Sequence, residues 1–302
     1  MFLAYDPNSE FESPAPRVLI SQTEADPFQV GSRIAFARRV GFLVNSPEEA
    51  AQMLRGRRVR FRSFNLGSRN KHADPERYLN GIEAKVDLSR PELELTLIQG
   101  AVDYLAVTSP ASMKQAWRRR RPRARAFFHP SAIFPKLSRA LFNLSRCREG
   151  ETFLDPFAGT GSIPIEAAQA GAQAIGIDIS EKMVRGALAN MKGFGQAWLG
   201  AVRANATMLP IGNVGAIATD LPYGRASSTH GASPTEILNN ALPGLARAIR
   251  PGGFIVIMHP SDLPIELVGD LNLEQEHRLY VHKFLTRTIT VLRRRSSRSS
   301  SS

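Results

Sequence analysis

The chain has 302 residues, of which 43% are hydrophobic and 22% charged, the composition of a globular protein long enough for two domains. Lysine and arginine outnumber aspartate and glutamate by 39 to 27, which gives a formal net charge of +12 and favours a polyanionic partner. No apolar run approaches the roughly 18 residues needed to span a bilayer, which argues against a membrane as that partner.

The single cysteine, Cys147, excludes an internal disulfide and a metal site built on a cysteine pair. Because no pattern of histidine and aspartate accompanies it, we expect a helix-end residue and not a nucleophile, and we expect no metal to be required. The first ten residues carry acids where a secretory signal has a basic region and an apolar core. We therefore expect a cytoplasmic protein.

The first 112 residues are predicted to form a small α+β region. Residues 31–44 carry apolar side chains at helical spacing, and the run Ser46-Pro47-Glu48-Glu49 predicts a helix with Ser46 as its N-cap. Strands are predicted where basic and apolar residues alternate or apolar residues cluster between turn residues: 17–20, 58–66 and two or three strands within 81–108.

A basic stretch at 113–126 follows, and two phenylalanines come directly after it. Such a run is typical either of a solvated linker or of a contact with a phosphate backbone. Because the aromatic residues and a proline-bounded helix at 136–147 follow at once, we predict a linker that also binds RNA. The RNA-binding residues predicted here are Arg118, Arg119, Arg120, Arg121, Arg123 and Arg125.

From residue 151 onward, predicted strands and helices alternate. This order predicts a parallel sheet covered by helices on both faces. The segment 274–294 alternates without a crossover helix, which predicts an antiparallel hairpin at the edge of that sheet. The basic, serine-rich residues 293–302 are predicted to be a disordered tail.

The loop at 155–162, DPFAGTGS, directly follows a predicted buried strand. A dinucleotide-binding loop would need a third small residue three positions after Gly161, where this chain has Pro164, so a dehydrogenase is disfavoured. Asp155 offers a carboxylate to a cationic amino group, and Gly159 and Gly161 allow a ligand to approach the backbone closely. These features favour S-adenosylmethionine, which carries an ammonium group and a cationic sulfur.

Two further acids are predicted at strand ends. Asp178 ends the strand after the glycine loop, where an acid can bind ribose hydroxyls, and Asp220 ends the fourth strand. The carboxyl ends of parallel strands meet at one edge of a sheet. We therefore expect Asp155, Asp178 and Asp220 to lie at one ligand site.

The chain resembles the archaeal tRNA guanine-N2 methyltransferases that modify guanosine 10 and carry an RNA-binding THUMP domain. The resemblance covers about residues 80–292 and is carried by the segments 127–146, 154–168, 176–180, 218–228 and 281–292. It implies a Rossmann-like methyltransferase domain at 127–292, with a mostly parallel seven-stranded sheet and an antiparallel edge hairpin. It also implies a THUMP-like RNA-binding region at 1–112, which is short and matches loosely, with S-adenosylmethionine as cofactor and tRNA as partner.

The resemblance implies two sets of site residues. The catalytic set is Asp220, Leu221, Pro222 and Tyr223. The cofactor-binding set is His129, Pro130, Asp155, Phe157, Gly159, Thr160, Gly161, Asp178, Ile179, Asn205 and Ala206.

In the catalytic set, Asp220 and the backbone carbonyl of Leu221 would accept hydrogen bonds from the guanine amino group. Pro222 would fix the backbone, and Tyr223 would offer a face to a base removed from its stack. Many relatives have proline at the position of Leu221, and we interpret the leucine as tolerated because only the carbonyl acts there. At the position of Asn205 relatives usually have an acid, so here an amide oxygen would bind the adenine amino group.

His129 is interpreted as a structural residue that closes the loop over the cofactor. Two other functions stay open at this point. The first is another RNA or DNA amino-methyltransferase, although a DNA enzyme would need a target-recognition domain. The second is a THUMP-type RNA-binding protein that has lost catalysis. The sequence also leaves open whether a partner subunit completes RNA binding.

Overall fold

The structure, a computed structural model, describes Asp6 and residues 9–67, 74–110, 114–194, 198–222, 233–283 and 285–296. The chain divides into two compact units between Lys114 and Gln115. None of the helices in these ranges has the length and apolarity needed to cross a bilayer.

The described part of the first unit contains a two-stranded and a five-stranded sheet with short helices. Its elements are β1 (Glu10–Ala15), β2 (Val18–Gln22), α1 (Pro27–Arg33), β3 (Gly41–Val44), α2 (Pro47–Leu54), β4 (Arg58–Asn65), α3 (Pro75–Leu79), β5 (Lys85–Val86), β6 (Leu93–Gln99) and β7 (Tyr104–Thr108). Strands β1 and β2 pair with each other, and the larger sheet has the order β3-β7-β6-β4-β5.

Residues 41–44 were predicted as helical, and this is wrong. They form β3, in which Phe42 lies opposite Val107 of β7. A Cβ at Gly41 would lie 2.0 Å from the carbonyl oxygen of Val107, so the close strand pairing needs a glycine there. The predicted start of α2 is confirmed, since the Ser46 Oγ accepts a hydrogen bond from the Glu49 N–H at 3.2 Å.

The second unit alternates strands and helices. Its elements are α4 (Lys114–Arg119), which begins at the division, a 3-10 turn (Pro122–Ala124), α5 (Pro135–Leu144), β8 (Thr152–Asp155), α6 (Ser162–Ala168), β9 (Gln173–Asp178), α7 (Glu181–Met191), β10 (Trp198–Arg203), β11 (Val214–Asp220), α8 (Pro234–Ala248), β12 (Ile249–Pro260), β13 (Leu271–His282) and β14 (Leu285–Arg294).

These strands form one seven-stranded sheet in the order β10-β9-β8-β11-β12-β14-β13. The first five are parallel, and the hairpin of β13 and β14 pairs antiparallel at one edge, as predicted. Consecutive residues of β8 show that both faces are covered: Phe153 packs in one core cluster with Phe142, and Leu154 packs in the other with Leu242. The predicted fold class is confirmed.

The strand order decides where the acids lie. Strands β9, β8 and β11 are neighbours and parallel, and their last residues are Asp178, Asp155 and Asp220. Their carboxyl ends therefore bring the three side chains to one edge of the sheet.

The packing bears on two of the predicted segments, the tail and the basic linker. Strand β14 continues to Arg294, whose Nε donates to Asp270 at 3.0 Å, so the tail cannot begin at 293; residues 297–302 lie outside the described residues. The basic stretch at 113–126 is not a solvated linker throughout, because Trp117 and Pro122 are buried in the second unit.

Candidate functional site

A cavity of about 730 Å³ opens at the edge of the sheet where the three acids lie. Most of the predicted catalytic and cofactor-binding residues line it: Pro130, Asp155, Phe157, Gly159, Thr160, Asp178, Ile179, Asn205, Ala206, Asp220, Leu221 and Pro222. His129 and Gly161 do not belong to its described wall, and Tyr223 lies outside the described residues.

The two glycines of the loop have different surroundings, one next to the cavity and the other next to a helix. Gly159 has φ +52°, and a Cβ built there would meet no atom within 4 Å, so its backbone borders open space in the cavity. Gly161 has φ +81°, and its Cβ would lie 3.3 Å from Ala187 and 3.4 Å from Met191. Gly161 therefore allows the loop to pack against α7, and its expected contact with a cofactor stays a prediction.

Asp178 ties the glycine loop to the end of β9. One carboxylate oxygen accepts from the Gly159 N–H at 2.9 Å and the other from the Ser180 N–H at 2.8 Å. Burial raises the pKa of Asp178, and these two N–H donors oppose the rise. The carboxylate thus holds the loop in place while its side chain faces the cavity.

Asp155 is buried at the centre of the site. Its Oδ1 accepts from the Thr219 hydroxyl at 2.7 Å and from the Phe157 N–H at 3.1 Å. Burial raises the pKa of Asp155 to about 8, and the nearby acids Asp220 and Asp178 raise it further against these two hydrogen bonds. The group is therefore largely protonated at neutral pH and is poised to ionise beside a cation.

The raised pKa of Asp155 predicts a specific pH dependence of stability. In the unfolded chain Asp155 has a pKa near 3.8 and loses its proton around that pH. Between a pH of about 4 and about 8 the folded protein therefore keeps a proton that the unfolded chain has already released. The free energy of unfolding should therefore fall as pH rises through this window, by up to about 1.4 kcal/mol per pH unit from this group.

We expect an Asp155→Asn variant to lose this contribution, since its amide oxygen can still accept from Thr219 and Phe157. Urea unfolding between pH 5 and 8 should show the variant gaining stability relative to the wild type as pH rises. Glu266→Gln, at an exposed acid, serves as the control. Parallel curves for Asp155→Asn and the wild type would contradict the assignment.

Asp220 pairs with an arginine that the sequence did not single out. Arg287 of β14 donates from Nη1 to Asp220 Oδ2 at 3.1 Å and from Nη2 to Oδ1. The Arg287 side chain is 4% exposed and that of Asp220 18%. Burial raises the pKa of Asp220, and the guanidinium opposes the rise. In the sequence, the only local indication of this role was that Arg287 precedes a predicted apolar strand within 281–292, one of the segments that carry the family resemblance.

Leu221 has a second role besides its backbone. Its side chain is 1% exposed and packs in the core cluster with Ile177 and Leu238, while its N–H donates to the Met258 carbonyl at 2.9 Å. The leucine therefore anchors the segment after Asp220 to the core. Pro222 follows on the cavity wall.

Two predicted cofactor contacts have local partners. The Asn205 amide oxygen accepts from the Thr207 N–H at 3.0 Å, and its second lone pair is left for a ligand. The His129 Nδ1 lies 2.7 Å from the Ser131 hydroxyl, within the loop that brings Pro130 and Ser131 to the cavity. The His129 ring thus has a partner within this loop, in keeping with the interpretation of His129 as a structural residue, and its expected contact with a cofactor stays a prediction.

The six arginines predicted to bind RNA fall into two groups. Four are exposed: Arg118, Arg119, Arg121 and Arg123. Arg120 and Arg125 are buried, at 7% and 6% exposure, so the prediction that they bind RNA is wrong. Arg120 pairs with buried Glu166, the Nε lying 2.6 Å from Oε1, because a buried carboxylate needs a cationic partner.

The cavity suits a nucleoside that carries an amino-acid group. Asp155 can take a cationic amine, Asp178 can accept from hydroxyl groups, and the backbone beside Gly159 allows close approach. Exposed Ile179 and half-buried Phe157 add apolar wall. The residues present thus fit S-adenosylmethionine, and the volume lies within the range of about 300–1,000 Å³ usual for ligand pockets.

The second unit matches a known family. The family model described as UPF0020, RMKL-like, methyltransferase domain, matches residues 122–289. A tRNA (guanine(10)-N2)-dimethyltransferase from Methanothermobacter thermautotrophicus is 34% identical over 217 residues, which are 70% of this chain and 64% of that protein. A protein of the same name from Methanocaldococcus jannaschii is 32% identical over 70% of this chain and 60% of that one. The chain thus spans less than two thirds of the length of these relatives.

The fold also has a counterpart among solved structures. The crystal structure of TrmN from Thermus thermophilus matches with a TM-score of 0.50 at 22% identity, over 97% of this chain and 94% of that chain. At this identity the likeness concerns the fold alone.

Proposed function

Because this chain belongs to the family of RMKL-like methyltransferase domains, we propose that it transfers methyl groups from S-adenosylmethionine to the exocyclic N2 of guanine in tRNA, at position 10. The observation that carries the proposal is the placement of Asp220, Leu221 and Pro222 on the wall of the same cavity as the glycine loop. The names of the two archaeal relatives support the choice of guanine N2 and of position 10.

The residues around the glycine loop would hold the cofactor. S-adenosylmethionine supplies, when bound, a methyl group on a cationic sulfur, which is electrophilic without a metal. Asp155 binds the ammonium group as a carboxylate, and Asp178 accepts from the ribose hydroxyls. Asn205 accepts from the adenine amino group through its amide oxygen.

Asp220 acts on the base. The lone pair of a guanine amino group is delocalised into the ring, so the nitrogen is a poor nucleophile. The Asp220 carboxylate and the Leu221 carbonyl accept hydrogen bonds from the two N–H groups, which orients the lone pair, and Asp220 takes the proton that the nitrogen loses. Arg287 favours the ionised form of this carboxylate and orients it through its two hydrogen bonds.

The proposal includes RNA binding by both units. In the first unit, β4 carries Arg58, Arg60 and Arg62 on one face of its sheet. Arg60 pairs there with buried Glu94, and the side chain of Arg62 is 46% exposed. In the second unit, Arg123 lies over the exposed Phe128 ring at 5.8 Å, an arrangement suited to a phosphate backbone with unstacked bases.

The exposed arginines should determine the salt dependence of tRNA binding. We expect Arg118→Ala/Arg119→Ala to weaken tRNA binding. The negative slope of log K against log salt should become less steep, by about 0.7–0.9 for each phosphate that an arginine no longer neutralises. Arg148→Ala/Arg250→Ala is the charge-matched control, because both residues are exposed. Arg148 lies before β8 and Arg250 at the start of β12, so both lie near the amino ends of the strands, away from the cavity at their carboxyl ends. Equal slopes for both double variants would show that Arg118 and Arg119 do not neutralise RNA phosphates.

The activity itself is tested with labelled S-adenosylmethionine and unmodified tRNA, followed by mapping of the labelled nucleoside. We expect label on N2 of guanosine 10, and none on a tRNA with adenosine at that position. Label on adenine would overturn the proposed substrate. Cofactor binding without any transfer would favour an RNA-binding protein that has lost catalysis.

A further inference from the structure

A buried arginine behind the glycine loop has an unused donor. Arg125 is 6% exposed; its Nε donates to the Arg120 carbonyl at 2.9 Å and its Nη1 to the Ser162 hydroxyl at 2.7 Å. Its Nη2 is also buried and has no acceptor among the described residues. A buried charged donor left without an acceptor is unfavourable, so this nitrogen points to a missing partner.

The charges around Arg125 indicate that this partner is an anion. Glu166, the nearby carboxylate, is already engaged by Arg120 at 2.6 Å and by Arg139 at 3.0 Å. Three buried guanidinium groups thus share the neighbourhood of one carboxylate, which leaves excess positive charge in a low-dielectric place. Burial lowers the pKa of Arg125 to about 10, so the group stays cationic at neutral pH.

The positive charge borders the cavity through two hydroxyl groups. Ser162 and Thr160 both line the cavity, and their oxygens lie 3.4 Å apart. Because the Ser162 oxygen already accepts from Arg125, its own O–H is left to donate. This wall therefore presents hydroxyl donors backed by a buried cation.

We propose that Arg125, with Ser162 and Thr160, forms the subsite for the carboxylate of the cofactor's amino-acid group, an inference that rests on the proposed use of S-adenosylmethionine. An α-amino acid is a zwitterion, so its site needs an acid and a base close together. Asp155 and Ser162 are the two ends of the same loop, and both line the cavity. Asp155 matches the ammonium group, and the Arg125 wall matches the carboxylate.

A phosphate of the RNA is the other anion to weigh. Arg125 is almost fully buried, and Ser162 is itself buried, at 5% exposure. A polymer backbone on the protein surface cannot reach Ser162, the residue through which Arg125 borders the cavity, whereas a small molecule within the cavity can. The cofactor carboxylate is therefore favoured, and RNA binding becomes an outcome of the test.

The test compares three ligands by calorimetry. S-adenosylhomocysteine carries the carboxylate, decarboxylated S-adenosylmethionine lacks it but keeps the amine and has a methylated, cationic sulfur, and 5′-methylthioadenosine lacks the whole amino-acid end. Each ligand is compared between the wild type and the variant, so the difference at sulfur cancels. We expect Arg125→Met to weaken S-adenosylhomocysteine binding by about tenfold to a hundredfold, the effect of losing a charge-assisted hydrogen bond, and to leave the other two ligands within about twofold. Arg125→Lys should recover part of the loss, and Arg148→Met, at an exposed arginine outside the proposed sites, should change none of the three.

Each other result decides against the proposal. Equal weakening of all three ligands would make Arg125 a general structural residue. Unchanged S-adenosylhomocysteine binding, with a smaller salt slope for tRNA, would assign Arg125 to RNA. A wild-type protein that binds none of the ligands would refute the proposed cofactor itself. If Arg125→Met does not fold, Ser162→Ala decides by the same comparison, since selective loss of S-adenosylhomocysteine binding is expected there too.

Discussion

Asp220→Asn is expected to slow methyl transfer by about a hundredfold to ten-thousandfold while leaving the affinity for S-adenosylhomocysteine unchanged. The asparagine keeps the shape and one acceptor but loses the charge that, in the proposed mechanism, orients the amino group and takes its proton. Single-turnover measurements with saturating tRNA and cofactor give the rate of the chemical step, and calorimetry gives the affinity.

The control for this variant is Asp262→Asn, at an exposed acid just beyond the end of β12. It should retain the wild-type rate. Thermal unfolding of Asp220→Asn must also be measured, because Arg287 loses its carboxylate partner. A folded Asp220→Asn protein with the wild-type rate would refute the role of Asp220 in catalysis.

Arg287→Met is expected to impair the enzyme in a different way. Burial already raises the pKa of Asp220, and Arg287 opposes this rise. Without the guanidinium the pKa of Asp220 rises further, so a larger fraction of the group is protonated at neutral pH. Since the proposed mechanism needs the Asp220 carboxylate, the acid limb of the pH profile of kcat/KM should move to higher pH and the rate at pH 7 should fall.

The same variant should also be less stable. Breaking a buried ion pair by removing one partner typically costs on the order of 3–5 kcal/mol, because the other charge is left uncompensated. The double variant Asp220→Asn/Arg287→Met should therefore lose less stability than the sum of the two single variants. Urea unfolding of the four proteins measures this coupling.

Arg293→Met is the matched control, since Arg293 lies on the same strand and is exposed. It should leave both the acid limb and the rate unchanged. If the acid limb of Arg287→Met coincides with that of the wild type, Arg287 does not act through Asp220.

The two buried arginine–carboxylate pairs are features that the sequence alone could not predict. Asp220 and Arg287 are 67 positions apart, and Arg120 and Glu166 are 46 apart. Local periodicity identifies strands and helices but not which distant side chains meet, so Arg287 was missed and Arg120 was predicted on the wrong surface. In the same way, the spacing in 31–44 fits a helix, and only the pairing with β7 makes residues 41–44 a strand.

The sequence by itself determined the position of the three acids. Asp155, Asp178 and Asp220 each end a strand, and parallel strands joined by helices place such residues at one edge for topological reasons. The tertiary structure alone decided their chemistry. Burial raises the pKa of Asp155, Arg287 holds Asp220, and Leu221 anchors its segment in the core. Those effects depend on the desolvation and distant charges that arise when the chain packs.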